Sequence, residues 1–202
     1  MFKSKVTRGY GFLEGFLANR RSKVAGSLIP SDYRKGRILD IGCGAYPYFL
    51  LNTRFSEKYG LDKLVLGNYS KHFQNQKIIL INCDIEKKDT LPFDSEFFDV
   101  VTMLAVIEHI EPKRLLKILR EVHRILKRGG IYILTTPAFW AHSPLKFMAK
   151  LRLVSPVEIK EHKCAFNHSR ISSILQEANF SKEKLQFGYF EMFMNIWATA
   201  VK

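Results

Sequence analysis

The sequence predicts an α/β fold, built as a seven-stranded, mostly parallel sheet with helices on both faces and an antiparallel hairpin strand at the C-terminal end. Three observations predict it. From Gly36 onward, short apolar runs alternate with longer amphipathic ones, as in a parallel sheet covered on both faces. One long helical stripe separates the fourth run from the fifth, as a crossover connection requires. The last two runs, LQFGYF and MNIWATAVK, lie close enough in the chain to pair with each other.

Taken in order, residues 1 to 35 form an amphipathic segment. Tyr10, Leu13, Phe16 and Leu17 recur at helical spacing before Arg20, Arg21 and Lys23, and Pro30 ends the segment. Five strands of parallel type follow: RILDIG (37 to 42), KYGLDK (58 to 63), IILINCD (78 to 84), FDVVTML (98 to 104) and GIYILTTP (130 to 137). Between the last two, PKRLLKILREVHRILKRGG carries a stripe of Leu115, Leu116, Leu119, Val122, Ile125 and Leu126, and Gly129-Gly130 is the expected stop. An irregular basic stretch runs to about Ala165, and the helix HSRISSILQEANF leads into the closing hairpin.

At 202 residues the chain fits one domain that buries roughly 70% of its unfolded surface. An apolar fraction of 47% and a charged fraction of 25% exclude disordered and fibrous classes. Cys43, Cys83 and Cys164 are widely spaced and contain no C-x-x-C pair, so neither a disulfide framework nor a zinc site is expected. The N-terminus has no continuous apolar core of a signal peptide, and no apolar run reaches the ~20 residues of a membrane span. A cytoplasmic protein is the expectation. The net charge of +13 would attract nucleic acid, anionic lipid or an anionic substrate. Its basic residues are spread along the whole chain, which argues against specific nucleic-acid binding.

The chemistry-bearing residues sit where strands end. Ile38-Leu39-Asp40-Ile41-Gly42-Cys43-Gly44 is an apolar strand running into a glycine pair, which lets backbone turn tightly and approach a ligand at the carboxyl end of the sheet. A dinucleotide fingerprint would need a third glycine where Pro47 stands, so a nicotinamide cofactor is disfavoured. Asp62 closes the second strand, about twenty residues downstream, where a carboxylate can accept both hydroxyls of a ribose. Asp84 and Ile85 follow the third strand, offering an acceptor to an adenine amino group and an apolar face to its ring. Each acid alone reads as an ordinary surface or capping residue. Three at successive strand ends form a pattern.

In these segments the chain resembles the class I S-adenosylmethionine-dependent methyltransferases, which are Rossmann-like, and especially the small-molecule group that includes the ubiquinone-biosynthesis O-methyltransferases. The resemblance covers residues 36 to 137 closely and the segment EHKCAFNHSRISSILQEANF more loosely. It implies that S-adenosylmethionine is the cofactor and S-adenosylhomocysteine the product. It also implies that Asp40, Gly42 and Gly44 line the methionine part, with Leu104 and Ala105 nearby. Asp62 would hold the ribose, and Asp84 with Ile85 the adenine; Cys43 and Lys63, beside these motifs, are counted with the cofactor-binding set. The chain would then divide into an N-terminal lid helix (1 to 30), a cofactor-binding core (36 to 137), an acceptor insertion (139 to 165) and a helix with the terminal hairpin (166 to 202). Two departures stand out. Tyr46 occupies a common glycine position and is placed to reshape the loop or reach the acceptor. Ala105 stands where metal-assisted members carry an acid, so Glu108 and His109 form an incomplete set and no metal is expected.

Methyl transfer from an activated sulfur needs an aligned nucleophile and, for a hydroxyl acceptor, a base near neutral pH. His142 is the first candidate for that base, followed by His109, with His162 also in a loop on the same side. No D/N-P-P-Y/F motif follows the fourth strand, which argues for an oxygen acceptor on a small or lipid-linked molecule. The stretch from Phe139 to Val157 mixes apolar residues with Lys146, Lys150 and Arg152, a composition suited to a lid or to peripheral contact with an anionic membrane. Two rival readings are an RNA methyltransferase, suggested by charge, and a non-catalytic cofactor-binding scaffold of the same fold.

Overall fold

A computed structural model of the chain describes residues 13–65, 73, 76–150, 153–155 and 163–202, with backbone alone for residues 142, 143, 147 and 149. The seven strands are β1 (Arg37–Ile41), β2 (Glu57–Asp62), β3 (Ile78–Asn82), β4 (Phe98–Leu104), β5 (Leu126–Pro137), β6 (Leu185–Phe190) and β7 (Asn195–Val201). They form one sheet in the order β3-β2-β1-β4-β5-β7-β6. Strands β1 to β5 pair in parallel, and β7 runs antiparallel between β5 and β6. The chain order reverses between β1 and β4, the switch point where an open α/β sheet opens a crevice at its carboxyl edge.

The described helices are α1 (Glu14–Ser27), α2 (Tyr48–Leu51), α3 (Pro112–Ile125), α4 (His142–Lys150) and α5 (His168–Glu177). Side chains of a strand alternate between faces, and the core divides accordingly. Ile38, Val100, Ile131 and Ile133 pack with Ala25 of α1 and Phe49 and Leu50 of α2. Leu39, Ile41, Val101, Met103 and Leu134 pack on the other face with α3 and α5. Pro112 at the first helical position pre-sets the backbone of α3, and the Asn167 carboxamide caps α5 by accepting the Arg170 N–H at 2.8 Å.

Two expectations need correction. The third helix ends at Ile125, four residues before the glycines, because fully buried Leu126 is extended and pairs with Phe98 of β4. Gly129, at φ +76°, instead serves the register shift between Phe98 and Val100, where β5 carries extra residues. The buried stripe of α3 accordingly runs through Leu115, Ile118, Leu119, Val122 and Ile125.

The buried face of α1 is also different. It consists of Glu14, Ala18, Ser22 and Ala25, while Phe16 is exposed; Tyr10 lies outside the described residues. Small and polar side chains face inward here because α1 covers a cavity as well as the sheet.

Candidate functional site

The site is assembled at the carboxyl edge of the sheet, from the turn after β1. Gly42 (φ +79°) and Gly44 (φ +70°) both adopt left-handed backbone, and a Cβ on Gly42 would sit 2.4 Å from Val106 Cγ2. Only glycine lets this turn pass so close to the β4 exit. The Gly42 N–H donates to the Leu61 carbonyl at 2.7 Å, which extends the β1–β2 pairing into the turn.

Asp62 locks the second side. Its Oδ2 accepts the Gly44 N–H at 2.9 Å and its Oδ1 accepts the Leu64 N–H at 2.8 Å. The carboxylate is therefore fixed in one orientation with lone pairs left over, because a carboxylate has about four acceptor positions. Asp84 is held similarly by the Glu86 N–H at 3.1 Å, with Lys87 at 3.7 Å from its other oxygen.

Asp40 is nearly inaccessible and accepts the Thr102 hydroxyl at 2.7 Å. Burial pushes its carboxyl up to about 7, against the lowering effect of the Thr102 hydrogen bond and with a smaller rise from the Asp62 charge. Burial likewise pushes the Cys43 thiol well up, so it stays a protonated thiol beside these acids. At the β4 exit, Ala105 takes φ +57°, a strained backbone for alanine, held by its N–H on the Thr135 carbonyl at 2.9 Å.

These pieces surround one cavity of about 450 Å³, within the range of small-molecule sites. The structure brings Asp40, Gly42, Cys43, Gly44, Asp62, Lys63, Asp84, Ile85, Leu104 and Ala105 together in its wall, along with His109. The three aspartates therefore share a cleft. His142 opens α4, but its side chain, like all of His162, lies outside the described residues. Tyr46 does not line the cavity; it is half-buried, edge-on to Phe73 at 5.9 Å. Neighbouring Tyr48 and Phe49 line it instead.

Sequence reasoning expected the opposite wall in the lid segments but did not single out the residues that face the cavity. Glu14, Leu17, Ala18, Arg21 and Ser22 of α1, Leu145 and Met148 of α4, and Val154 and Ser155 all line the cavity. Val154 packs with Leu17, Leu145 and Met148. Glu108, also in the wall and only 2% exposed, accepts the Thr136 hydroxyl at 3.1 Å, and its backbone carbonyl accepts the Lys163 N–H at 2.8 Å. Glu191, Met194 and Asn195, from the β6–β7 turn, complete the rim. No local motif marks Glu14 or Glu191; each arrives from a distant part of the chain. Among the described residues no group of His, Cys, Asp and Glu forms a metal-binding cluster.

The lining carboxylates Glu14, Asp40, Asp62, Asp84, Glu86, Glu108 and Glu191 outnumber the cations Arg21, Lys63 and Lys163. The cavity is acidic inside a strongly basic chain. Its field suits a positively charged small molecule and opposes a polyanion.

Comparison with known proteins follows the same line. Residues 39–134 match the family model described as a methyltransferase domain. An uncharacterised protein of Methanocaldococcus jannaschii is 32% identical over 100 residues, 48% of this chain and 36% of that protein. A human protein named probable tRNA methyltransferase 9B is 28% identical over 159 residues, 76% of this chain and 30% of its own length. The chain thus spans about a third of the curated relatives it matches. A SAM-dependent methyltransferase from Thermotoga maritima superposes with a TM-score of 0.68 at 19% identity, over 90% of this chain and 87% of that one. The fold is that of the Rossmann-like methyltransferases. The matched domain and this fold together point to S-adenosylmethionine as the cofactor.

Proposed function

We propose that the protein transfers the methyl group of S-adenosylmethionine to an oxygen of a small or lipid-linked molecule. One observation carries this reading: three carboxylates from successive strand exits line a single cleft around a glycine turn. The donor set fits the cofactor. Asp62 has a fixed orientation and spare lone pairs for ribose hydroxyls, Asp84 with Ile85 suits an adenine edge and face, and the buried Asp40 lies beside the glycines on the methionine side. When bound, the cofactor supplies a methyl group on positively charged sulfur.

The remaining wall takes the acceptor. Leu17, Ala18, Leu145, Met148, Val154 and Met194 give it an apolar lining, with Glu14, Glu108 and Glu191 as the polar points that orient a bound molecule. Leu17 and Ala18 of α1 act as the lid together with Leu145, Met148, Val154 and Ser155, excluding water from the reacting centre. The segment Leu104-Ala105-Val106-Ile107, which follows into the cavity from β4, lacks the prolines of amino-group methyltransferases and supports an oxygen nucleophile. For that nucleophile, His109 in the cavity wall takes the proton as the methyl group is transferred.

Incubating the protein with isotope-labelled S-adenosylmethionine and fractionated cell extract, then identifying the labelled product by mass spectrometry, tests the reading. Label on a hydroxyl of a small or lipid-soluble product is expected, and turnover should fall in His109→Ala while His142→Ala serves as the comparison. Label recovered in RNA would replace the acceptor. Tight binding of S-adenosylhomocysteine with no labelled product from any fraction would mean a non-catalytic scaffold.

A further inference from the structure

The cavity rim carries an apolar surface that transfer chemistry does not use. Phe139 and Trp140, between β5 and α4, are 53% and 40% exposed, and Met192 and Phe193, at the β6–β7 turn, are 89% and 67% exposed. They are one patch. Phe139 meets Trp140 at 4.9 Å between ring centres, Trp140 meets Tyr189 at 5.3 Å, and Tyr189 meets Phe193 at 5.8 Å. The Trp140 indole N–H donates to the Phe193 carbonyl at 3.1 Å, which ties the two loops together.

The turn holds its apolar tips outward at a cost. Glu191, Met192 and Phe193 have φ of +52°, +55° and +66°, three successive non-glycine residues in the left-handed region. A chain selected for stability alone would place glycine or asparagine there. Flanking residues on both sides of the patch, Pro137 before Phe139 and Met194 and Asn195 after Phe193, line the cavity. The patch is therefore the cavity's doorstep.

Charge decides what it meets. Arg20 and Arg21 act electrostatically on Glu191, at the start of the same turn, and α4, which continues from Trp140, exposes Lys146 and Lys150. Exposed aromatic and methionine side chains, with arginines near the same turn and exposed lysines on the helix that follows Trp140, on a chain of net charge +13, complement the interface of an anionic bilayer, where rings sit at headgroup depth and cations meet lipid phosphates. We propose that this rim is a membrane-docking surface, with Met192, Phe193 and Trp140 entering the interface and Arg20, Lys146 and Lys150 held against anionic headgroups. Docking rests on the transfer reading above only in what the bilayer delivers to the cavity, a lipid-borne acceptor passing over the rim to the apolar wall.

Sedimentation with vesicles tests this directly, using the full chain at low salt with phosphatidylcholine alone or mixed with roughly equal phosphatidylglycerol. Wild-type protein should bind the anionic vesicles at least about tenfold better than the neutral ones, and added salt should weaken the binding. The double variant Met192→Asp, Phe193→Asp should lose roughly tenfold or more in partitioning. Asp tolerates the left-handed backbone, so folding is preserved. A second double variant, Met192→Gly with Phe193→Gly, should lose binding too, showing that apolar contact and not added negative charge is responsible. Arg20→Glu with Lys146→Glu should remove the anionic preference. Equal binding by wild-type and Asp variants, or no binding of wild-type to anionic vesicles, overturns the proposal. Self-association that the Asp variants abolish, without vesicle binding, would make the patch a protein interface instead. Titration with S-adenosylhomocysteine in the same samples separates the two readings, since wild-type protein that binds this ligand but no anionic vesicles sinks only the membrane surface.

Discussion

Glu14, in the first turn of α1, accepts the backbone N–H of Ser155 at 2.8 Å, a bond between residues 141 positions apart in sequence. Alongside it the Leu13 N–H donates to the Leu153 carbonyl at 2.9 Å. These two bonds fasten the N-terminal helix to the short segment that shares the cavity roof with it. Glu14→Ala should therefore release the Ser155 amide, raising its hydrogen exchange by the ~1.5–3 kcal/mol typical of a bond to a charged group. Glu14→Gln keeps a carbonyl acceptor and should retain most of the protection. Unchanged exchange at Ser155 in the alanine variant would mean that the roof is held by other contacts.

Gly42→Ala places a methyl group against Val106 and asks alanine to hold φ +79°. The backbone term alone costs about 1–2 kcal/mol, and the overlap adds to it. Chemical denaturation should show at least that loss, together with weakened binding of S-adenosylhomocysteine. A variant with wild-type stability and affinity would show that the turn relaxes freely.

Ala105→Gly works in the opposite direction. At φ +57° the alanine is strained, and glycine removes that strain at some cost in unfolded-state entropy. A net gain of up to about 1 kcal/mol in unfolding free energy is expected. Destabilisation would show that the Ala105 methyl group contributes packing that outweighs the strain.

Asp40 makes the site sensitive to pH. Burial, the largest cause, pushes its carboxyl up to about 7 in the folded chain, well above the ordinary range of an exposed aspartate. A folded value raised above the unfolded one gives stability that is complete below the unfolded value and is lost as pH rises through the folded one. Wild-type protein should accordingly lose stability relative to Asp40→Asn between about pH 4 and about pH 7. A cationic ligand favours the ionised form, so affinity for S-adenosylmethionine should rise with pH over the upper part of that window and stay flat in the variant. Parallel pH profiles for the two proteins would remove Asp40 from this role.

The alternation of apolar runs made the seven strands legible, and β4 and β6 match their expected bounds residue for residue. The end of α3 was not legible, because local signals favour helix through Lys127 while tertiary pairing of Leu126 with Phe98 draws the chain into β5. The inward face of α1 was hidden for a related reason. Helical periodicity points to apolar residues, but this helix turns Glu14 and Ser22 toward a cavity that holds several carboxylates. That Asp40, Asp62 and Asp84 converge on one cavity was readable because each stands at or just past the carboxyl end of a strand within its own local motif. Glu14, Glu191 and the aromatic rim come together only through long-range packing, which no local spacing encodes.

Calorimetric titration of S-adenosylhomocysteine into wild-type protein and Asp62→Ala tests the central claim most directly. Asp62 is the hinge of the proposed site, holding Gly44 and Leu64 while facing the cavity. Saturable one-to-one binding by wild-type protein, weakened in the variant by about 1.5–3 kcal/mol, is the predicted result. Wild-type protein that takes up no ligand, or a variant that binds it equally well, would contradict the account.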